Sequence, residues 1–405
     1  MLDLIRRNKP FRILLFFFIC NDSSVILLQM ANGWLTLDVT NSVFWTGAVF
    51  GVTGLGVVSF SLFGGILADK INRKKILQLT QPVDFFVTLI LGCLIYFEIV
   101  KLWEILLIVF INGAVGGVRL PTREALLLDV VGKIDLVKAI STTFLLYTVL
   151  GFLIPIITGN LIEINMSIVY FICSALIFLS FLFIKNLSVI NNYSEHSSST
   201  GFGLKEVIKY IYDNHLIKQI LIIMLFSEVF GWSHNSMIPV MVRDIFKLPA
   251  SNLGLILSCA SLGAVAGTVI ISQLSRSSYM YMVFGLFGFG VFLISFAISP
   301  YFYLAVLSLT IAWGFAFIFE IKIYSYLQLI TSDAMRGRIL SLLAISYGLS
   351  SVAGFFSGTL GKYFGVEFSI ILLGVILISA SVYSIFKLKK VDEKVQDIQS
   401  QIKNV

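Results

Sequence analysis

Long apolar stretches separated by short polar segments run through the whole chain. Each stretch has about twenty residues or more, the length that an α-helix needs to cross a bilayer, whereas a spanning strand needs only about ten alternating residues. The stretches predict helices at 11–36, 43–66, 76–97, 102–122, 140–162, 166–186, 217–240, 252–273, 279–298, 301–326, 338–361 and 367–387. The pattern therefore predicts an all-α polytopic membrane protein with twelve transmembrane helices.

Composition supports this prediction. Of the 405 residues, 58% are hydrophobic and 13% are charged, whereas soluble domains carry about 25% charged residues. Twelve spans of about 22 residues leave about 140 residues for connections and termini, so we expect no extramembrane domain. These values exclude a soluble enzyme and confine any chemistry to the bilayer or its surface.

The positive charges predict an orientation. If both termini lie in the cytoplasm, 24 of the 29 Lys and Arg residues fall in inner segments, and only Lys101, Arg243, Lys247 and Lys362 fall in outer connections. Such a bias is typical of proteins that follow the positive-inside rule. It predicts a multi-pass protein of the inner or plasma membrane, and it accounts for the net charge of +7 without a nucleic-acid partner.

The only long polar connection lies at the midpoint of the chain and divides six spans from six. We predict an N-terminal bundle over 1–186, a cytoplasmic central loop with an amphipathic helix over 187–215, a C-terminal bundle over 216–387 and a cytoplasmic tail over 388–405. Aligning Gly47 with Gly254 also superposes Gly56 on Gly263. This weak repeat suggests two duplicated halves, an arrangement that many transporters use.

A segment rich in glycine, acid and cations separates the second and third predicted helices. It reads Gly64-Gly65-Ile66-Leu67-Ala68-Asp69-Lys70-Ile71-Asn72-Arg73-Lys74-Lys75 and closely resembles the signature loop of the major facilitator superfamily. A short hairpin needs glycine for close helix approach, an acid to dock on helix ends or arginines, and cations to hold it at the inner surface. The resemblance implies that Gly65, Asp69, Arg73 and Lys74 form a conformational-switch loop. Asn72 stands where the family usually has a second glycine, and asparagine is compatible with a left-handed backbone there.

Other segments resemble the macrolide-efflux and enterobactin-exporter branch of twelve-span drug:proton antiporters. They are Pro121-Thr122-Arg123-Glu124-Ala125, Pro239-Val240-Met241-Val242-Arg243-Asp244 and Met335-Arg336-Gly337-Arg338. On the fifth helix, Gly151, Pro155 and Gly159 resemble the antiporter motif, although Ile154 and Thr158 depart from it. On the fourth helix, Val109 occupies the position of a motif arginine. These departures leave the direction of transport and the proton relay open.

Four acids fall within the predicted spans: Asp22, Asp84, Glu228 and Glu320. A charged carboxylate at the bilayer centre costs about 2.5–3.5 kcal/mol on insertion scales, so each needs an aqueous cavity, a partner or a proton. In the resembled fold, helices 1, 4, 7 and 10 line a central cavity, and all of these acids except Asp84 fall on them. We expect Asp84, on the third helix, to serve as a local ion-pair partner.

Helical spacing places further polar and aromatic residues on the same helix faces as these acids. Asp22 and Gln29 lie about two turns apart, and Glu228, Trp232 and Asn235 follow one another at i, i+4 and i+7. The predicted proton and substrate cavity consists of Asp22, Gln29, Asn112, Glu228, Trp232, Asn235, Trp313, Glu320 and Tyr324. The alternative for the acids is structural hydrogen bonding between helices. We expect His234 to be packed and hydrogen-bonded.

The resemblance implies a monomeric permease that exports an amphiphilic, drug- or siderophore-like molecule by alternating access, driven by proton entry and without a cofactor. An uptake permease or an uncoupled facilitator of the same fold remains an alternative, as does a non-transporting receptor. The chain has no His-Glu-x-x-His motif, no Gly-x-Ser-x-Gly elbow and no phosphate-binding Gly-x-x-x-x-Gly-Lys-(Ser/Thr) loop. A membrane enzyme, a nucleotide-driven pump and a dedicated metal site are therefore not expected.

Overall fold

The computed structural model describes residues 2–188, 204–274, 278–332, 335, 346 and 348–403. Across these residues the chain forms helices and no strand. The helices are α1 Leu2–Arg7, α2 Lys9–Thr40, α3 Val43–Lys70, α4 Arg73–Tyr96, α5 Leu102–Ile164, α6 Met166–Lys185, α7 Leu204–Asp213, α8 His215–Phe226, α9 Ile238–Val240, α10 Ala250–Gln273, α11 Met280–Ala297, α12 Phe302–Ile330, α13 Gly354–Phe364 and α14 Val366–Lys403. The prediction of an all-α fold is confirmed.

The helices begin and end at residues that satisfy free backbone groups. At the start of α2, the Asn8 side chain accepts a hydrogen bond from the Phe11 amide at 2.9 Å, and α2 ends at Asn41 in a left-handed conformation with φ of 47°. Asn165 caps α6 by accepting from the Ser167 amide at 2.8 Å. Such caps pair the orphan groups of the first and last turns, which water or a polar interface would otherwise have to solvate.

Eleven segments of the described chain are long and apolar enough to cross a membrane. They correspond to eleven of the twelve predicted helices. Helices are expected for spanning segments because the backbone within a bilayer must satisfy its own hydrogen bonds. Of the other prediction, a helix over 338–361, residues 338–345 and 347 lie outside the described residues. Its described end belongs to α13, which continues to Phe364.

The fourth and fifth predicted helices are longer than the sequence indicated. They run as Leu102–Gly132 and Ile134–Ile164 and are joined into α5, which bends where Gly132 has φ of 72°. The predicted connection between 122 and 140 was therefore wrong. Leu126 and Leu127 continue the helical apolar pattern and are each 1% exposed in a core against α2, so packing extends the helix through charged positions.

The helices form two bundles, which we call the N-half (α1–α6) and the C-half (α8–α14). The most extensive described contacts between the halves are those of α3 with α13 and of α5 with α10. We call the end of the bundle that holds 7–12, 70–75, 185–187 and 215–218 the terminal end. The opposite end, with 38–43, 97–101, 163–166, 245–250 and 364–366, is the distal end. These names describe where the helices start and stop and imply no membrane side.

Between the halves, α7 lies in the central segment and has one buried and one exposed face. Val207 on α7 is 7% exposed, whereas Tyr212 is 75% exposed. The Tyr210 hydroxyl accepts a hydrogen bond from the Ser332 amide at 3.1 Å, which ties α7 to the terminal end of α12. The remainder of the predicted loop, 189–203, lies outside the described residues.

Candidate functional site

A cavity of about 130 Å³ lies between the two halves. It is lined by Ile26, Gln29, Met30, Phe50, Tyr147, Gly151, Pro155, Asn235, Ile238, Pro239, Leu253, Leu257, Ser261 and Trp313. The sequence placed Gln29, Asn235 and Trp313 in one cavity, and the structure brings these three together. Asn235 Oδ1 is buried and has no hydrogen-bond partner in the structure. The site is thus an apolar and aromatic chamber with two amides.

The distal end of the cavity is closed by backbone contacts between the halves. A Cβ added at Gly254 of α10 would lie 2.3 Å from Pro155 O of α5, and one at Gly159 would lie 2.5 Å from Ala250 O. Real Cβ atoms essentially never approach another atom this closely, so only glycine allows this packing. The antiporter-like residues Gly151, Pro155 and Gly159 therefore all lie on the face of α5 that meets α10.

Two polar contacts join the halves at the same end. Arg243 Nη1 donates to Leu37 O at 2.9 Å and to Asp38 Oδ1 at 3.1 Å, which connects the region after α9 to the end of α2. Glu163 Oε1, at the end of α5, accepts from the Ser251 amide at 2.7 Å in the first turn of α10. A carboxylate at this place pairs a free amide and complements the positive end of the helix dipole. The conformation described is closed at its distal end.

In the N-half, Asp22 lies in a buried ion pair and not in an open cavity. Arg123 Nη1 donates to Asp22 Oδ1 at 2.6 Å, and Nη2 donates to Oδ2 at 3.3 Å. Asn21 Nδ2 donates to the same carboxylate at 3.0 Å, and Gln81 Nε2 donates to Asn21 Oδ1 at 3.2 Å. Ser180 of α6 donates to Gln81 at 2.8 Å. The network joins α2, α4, α5 and α6 and neutralises the Asp22 charge.

The second N-half acid, Asp84, is also paired, as the sequence analysis expected. Arg119 forms a buried salt bridge with its Oδ2, and Asn112 Nδ2 donates to its Oδ1 at 3.0 Å. Asn112 was predicted to line the cavity. It is not among the lining residues, because its amide is turned toward Asp84 on α4.

The C-half acids have different surroundings. Trp232 Nε1 donates to Glu320 Oε1 at 2.6 Å, and the Tyr324 hydroxyl lies 3.5 Å from Glu228 Oε1. Glu228 is 1% exposed, and its Oε2 has no hydrogen-bond partner among the described residues. Trp232 lies four residues after Glu228 and Tyr324 lies four residues after Glu320, so these two contacts cross between the two helices and tie the acids together. Within the described residues, neither forms a salt bridge with Lys or Arg.

Aromatic rings connect this acid pair to the cavity. The Trp232 ring packs against Trp313 with 5.3 Å between centroids and against Phe317 at 6.1 Å, and Trp313 lines the cavity. Trp313 Nε1 donates to His234 Nε2 at 3.2 Å, while His234 Nδ1 lies 2.5 Å from Gly231 O. His234 is thus packed and hydrogen-bonded, as expected. On α12, Trp313, Phe317, Glu320 and Tyr324 thus face α8 and the segment after it.

That segment is an irregular helix. After α8 the chain forms a π-helical turn over Ser227–Gly231 and a 3₁₀ turn over Trp232–Met237, then a second π-helical turn over Met241–Ile245 beyond α9. Such turns change the angular spacing of side chains and are frequent at functional sites. Regular i, i+4, i+7 spacing predicted that Glu228, Trp232 and Asn235 share one helix face. In the structure, Glu228 and Trp232 lie at the acid pair, whereas Asn235 lines the adjoining cavity.

The glycine- and cation-rich loop forms the junction of α3 and α4 at the terminal end. Arg73 Nη1 binds Asp129 Oδ1 at 2.5 Å, and Lys74 Nζ donates to Leu187 O at 2.7 Å. A Cβ at Gly65 would meet nothing within 4 Å, so this glycine is not the one that allows close helix packing. The Asp69 side chain lies outside the described part of the structure.

Two details of this loop differ from the prediction. Asn72 has φ of −54° and not a left-handed conformation, because it is the N-cap of α4, with its side chain accepting from the Lys75 amide at 3.3 Å. Gly64 makes the close helix approach, since its added Cβ would lie 2.6 Å from Val118 Cα. The loop therefore caps and anchors helices of the N-half.

Arg119 and Arg123 were counted from the sequence among the inner cations, without a role toward the buried acids. Both lie within the span Leu102–Gly132 and bind the two N-half acids. Their i, i+4 spacing within a continuing apolar pattern was the available signal. Their side chains face Asp84 and Asp22 because those acids otherwise lack a counter-charge.

The chain matches the model of the family described as transmembrane secretion effector over residues 6–404. A staphyloferrin A transporter of Staphylococcus aureus is 22% identical over 380 residues, which cover 91% of this chain and 94% of that protein. An uncharacterized transporter of Buchnera aphidicola is 31% identical over 140 residues, 34% of this chain and 33% of that protein.

Solved structures show the same fold. A bacterial homologue of the human lysosomal transporter Spinster, in an inward-facing and unoccupied conformation, has a TM-score of 0.77 at 12% identity and covers 96% of this chain and 98% of its own. A D-xylose–proton symporter has a TM-score of 0.69 at 14% identity, with coverages of 93% and 95%. The fold and these likenesses define a membrane transporter of the major facilitator superfamily, a permease and not an enzyme. Within this class, the chain belongs to the transmembrane secretion effector family.

Proposed function

We propose that the protein exports an amphiphilic small molecule, drug- or siderophore-like, in exchange for protons. The observation that carries this proposal is the cavity between the halves. Its wall is apolar and aromatic, and Gln29 and Asn235 supply amide groups. A pocket of this kind buries an apolar ligand body and orients it through a few polar contacts, and Asn235 Oδ1 is an acceptor for a ligand donor.

The contacts at the distal end support alternating access. Gly159 and Gly254 bring α5 and α10 into backbone contact there, while Arg243 and Glu163 add polar contacts between the halves. A transporter in which one half rocks against the other exposes a central site to each side in turn. In our proposal these contacts separate when the cavity opens distally. From the positive-inside bias, we propose that the terminal end is cytoplasmic and that the protein lies in the cell membrane as a monomer.

Proton coupling is proposed because acids lie within spans and need neutralisation there. A proton that binds one of them in one conformation and leaves in another would drive the substrate across. The staphyloferrin A transporter supports a siderophore-like cargo only as a distant relative, at 22% identity. The proposal therefore names an amphiphilic class and not one compound.

A two-stage experiment tests the proposal. Purified protein is first screened by thermal shift at two pH values against ethidium, erythromycin, enterobactin and staphyloferrin A. A compound that stabilises the protein is then assayed in proteoliposomes with a lumenal pH dye. We expect substrate and protons to move in opposite directions. Flux of the compound that ignores an imposed pH gradient would refute coupling, and the absence of any stabilising compound would refute the amphiphile class.

An uncoupled facilitator or uptake permease is the second candidate. The departures from the antiporter motif at Ile154 and Thr158 favour it. In the structure the two residues bond to each other, since Thr158 Oγ1 donates to Ile154 O at 2.8 Å. Vesicles sorted by orientation separate the candidates, because a coupled exporter accumulates substrate on one side only when the proton gradient points the opposite way.

A further inference from the structure

The two halves differ in whether their buried acids are paired with arginine. In the N-half, Asp22 and Asp84 are each neutralised by an arginine, at 2.6 Å for the Arg123–Asp22 pair. In the C-half, hydrogen bonds cross between the two helices that carry Glu228 and Glu320: Trp232 donates to Glu320 and the Tyr324 hydroxyl reaches Glu228. Among the described residues, neither glutamate forms a salt bridge with Lys or Arg. A carboxylate paired with arginine in a buried site stays charged, because removing either charge leaves the other one unpaired. The N-half acids are therefore poor places for a proton that must come and go.

The C-half acids meet the opposite condition. Two carboxylates that share a dry site cannot both ionise readily, so a single proton held between them removes most of the repulsion. Among the described residues, Trp232 and Tyr324 are the hydrogen-bond donors to this pair, at 2.6 Å from Glu320 and 3.5 Å from Glu228 respectively. Glu228 Oε2 is buried and without a partner. It is an open position for a proton in the site.

We propose that Glu228 and Glu320 together hold the coupling proton, and that Trp232 is the positioning residue that links this proton to substrate in the cavity. The proposal rests on the proposed proton-coupled function and assigns the site of coupling to the C-half. Glu228 lies in a π-helical turn and Trp232 begins the 3₁₀ turn that follows it. Movement of this irregular segment would displace one acid from the other.

The path from the acids to the cavity is short and continuous. The Trp232 indole binds Glu320 through its N–H, and its ring packs on Trp313 at 5.3 Å between centroids. Trp313 lines the cavity beside Asn235. A substrate that moves Trp313 would therefore shift the indole donor on Glu320 and change how tightly the pair holds its proton.

Other titratable or charged groups lie on the helices packed around the pair. They are His215, Lys218 and His234 on or after α8, Tyr279 and Tyr281 at the start of α11, Tyr303, Lys322 and Tyr326 on α12, Lys362 and Tyr363 on α13, and Glu367, Tyr383 and Lys387 on α14. His234 is bound to Trp313 and Gly231, and the Lys322 ammonium lies over the Tyr281 ring at 5.4 Å. The Lys387 ammonium lies over the Tyr383 ring at 5.9 Å. In these described contacts, His234, Lys322 and Lys387 bind groups other than the two glutamates, so the proposal places the proton on Glu228 and Glu320.

Infrared difference spectroscopy tests the site without a substrate. The purified protein in lipid nanodiscs is titrated with acid and base, and the C=O stretch of protonated carboxyl groups is recorded. We expect a titrating band in the wild type that is lost in Glu228→Gln and in Glu320→Gln and retained in Asp22→Asn. Glu228→Asp, which keeps the carboxyl, should restore a titrating band and controls for folding. A band that survives both glutamine variants, or that vanishes only in Asp22→Asn, would overturn the proposal.

The role of Trp232 has its own readout. Trp232→Phe keeps a ring against Trp313 but removes the indole N–H from Glu320. The pH midpoint of the carboxyl band should change in this variant, and Trp103→Phe, which replaces an indole that is 61% exposed, should leave it unchanged. An unchanged midpoint in Trp232→Phe would refute the positioning role.

The outcomes distinguish the inference from the proposed function. If transport of a compound found in the screen drives protons but Asp22→Asn alone uncouples it, the export proposal stands and the C-half site is wrong. If the carboxyl band titrates at Glu228 and Glu320 but flux ignores pH, the site binds a proton and the coupling proposal is wrong. Loss of pH-driven flux in Glu228→Gln with retained substrate exchange supports both.

Discussion

Replacing Gly254 by alanine should push the protein out of the conformation described here. The new Cβ would lie 2.3 Å from Pro155 O and 3.0 Å from Pro155 C, both backbone atoms of the opposite half. Ordinary contacts begin at 3.4 Å, so α5 and α10 would have to separate by about 1 Å, a displacement typical of overpacked sites. Neither clash falls on a flexible side chain that could turn away.

The expected size of the effect follows from this clash. Overpacking of a tight interface costs about 1–3 kcal/mol, which corresponds to a shift of about 5- to 150-fold in a conformational equilibrium. The cost applies only while the distal end is closed, since Gly254 contacts the other half there. The gain of about 1 kcal/mol in helix propensity on replacing glycine by alanine applies to both conformations and cancels.

Distance measurements between spin labels detect the shift. Cysteines at Lys101 and Tyr301, which are exposed at the distal ends of the two halves, carry the labels after the four native cysteines have been replaced. Gly254→Ala should enlarge the population with a long distal distance. Gly116→Ala is the matched control, because its Cβ would meet its nearest atom only at 3.9 Å. Equal distance distributions in Gly254→Ala and the parent would refute the reasoning.

Three other variants test separate parts of the molecule. Arg123→Met leaves Asp22 buried without its partner and should lower the free energy of unfolding by about 3–5 kcal/mol, measured by denaturation in detergent. Arg243→Gln removes the bonds to Leu37 and Asp38 and should shift the same spin-label distances toward distal opening, by about fivefold or less since the pair is partly exposed. Asp69→Asn should slow transport while a compound from the thermal-shift screen still binds.

Each of these variants has a result that contradicts its premise. Parental stability of Arg123→Met would show that the buried pair does not hold the N-half together, and a double Asp22→Asn, Arg123→Met variant should recover part of the lost stability. Unchanged distal distances in Arg243→Gln would remove this residue from the closure. Parental transport rates in Asp69→Asn would refute the role of the α3–α4 loop in the conformational cycle.

The fold was predictable because the bilayer constrains the sequence so strongly. Apolar stretches of spanning length predicted eleven spans that the structure describes, and the polar midpoint predicted the central helix α7. The ends of helices were harder to place. Arg123 and Asp129 read as loop residues by charge, yet α5 continues past them to Gly132 because Asp22 on α2 and Arg73 at the α3–α4 junction compensate their charges. Local charge does not reveal a partner that lies far away in sequence.

The sequence could predict which helices line the site, but it predicted fewer of the side-chain contacts between them. Gln29, Asn235 and Trp313 line one cavity in the structure, and helical periodicity with the resembled fold had grouped them, since these determine which faces meet. The pairing of Asp22 with Arg123, and of Asn112 with Asp84, depends on side chains of neighbouring helices, which spacing along one helix cannot supply. The irregular turns after α8 likewise depend on tertiary contacts such as that between His234 and Trp313.

The most direct test of the account is simultaneous measurement of proton and substrate flux in proteoliposomes of known orientation. With a compound identified in the thermal-shift screen, the account predicts that an outward substrate gradient drives protons inward and that Glu228→Gln abolishes this exchange of fluxes. Substrate flux in the parent protein that produces no opposing proton flux and does not respond to an imposed pH gradient would contradict it.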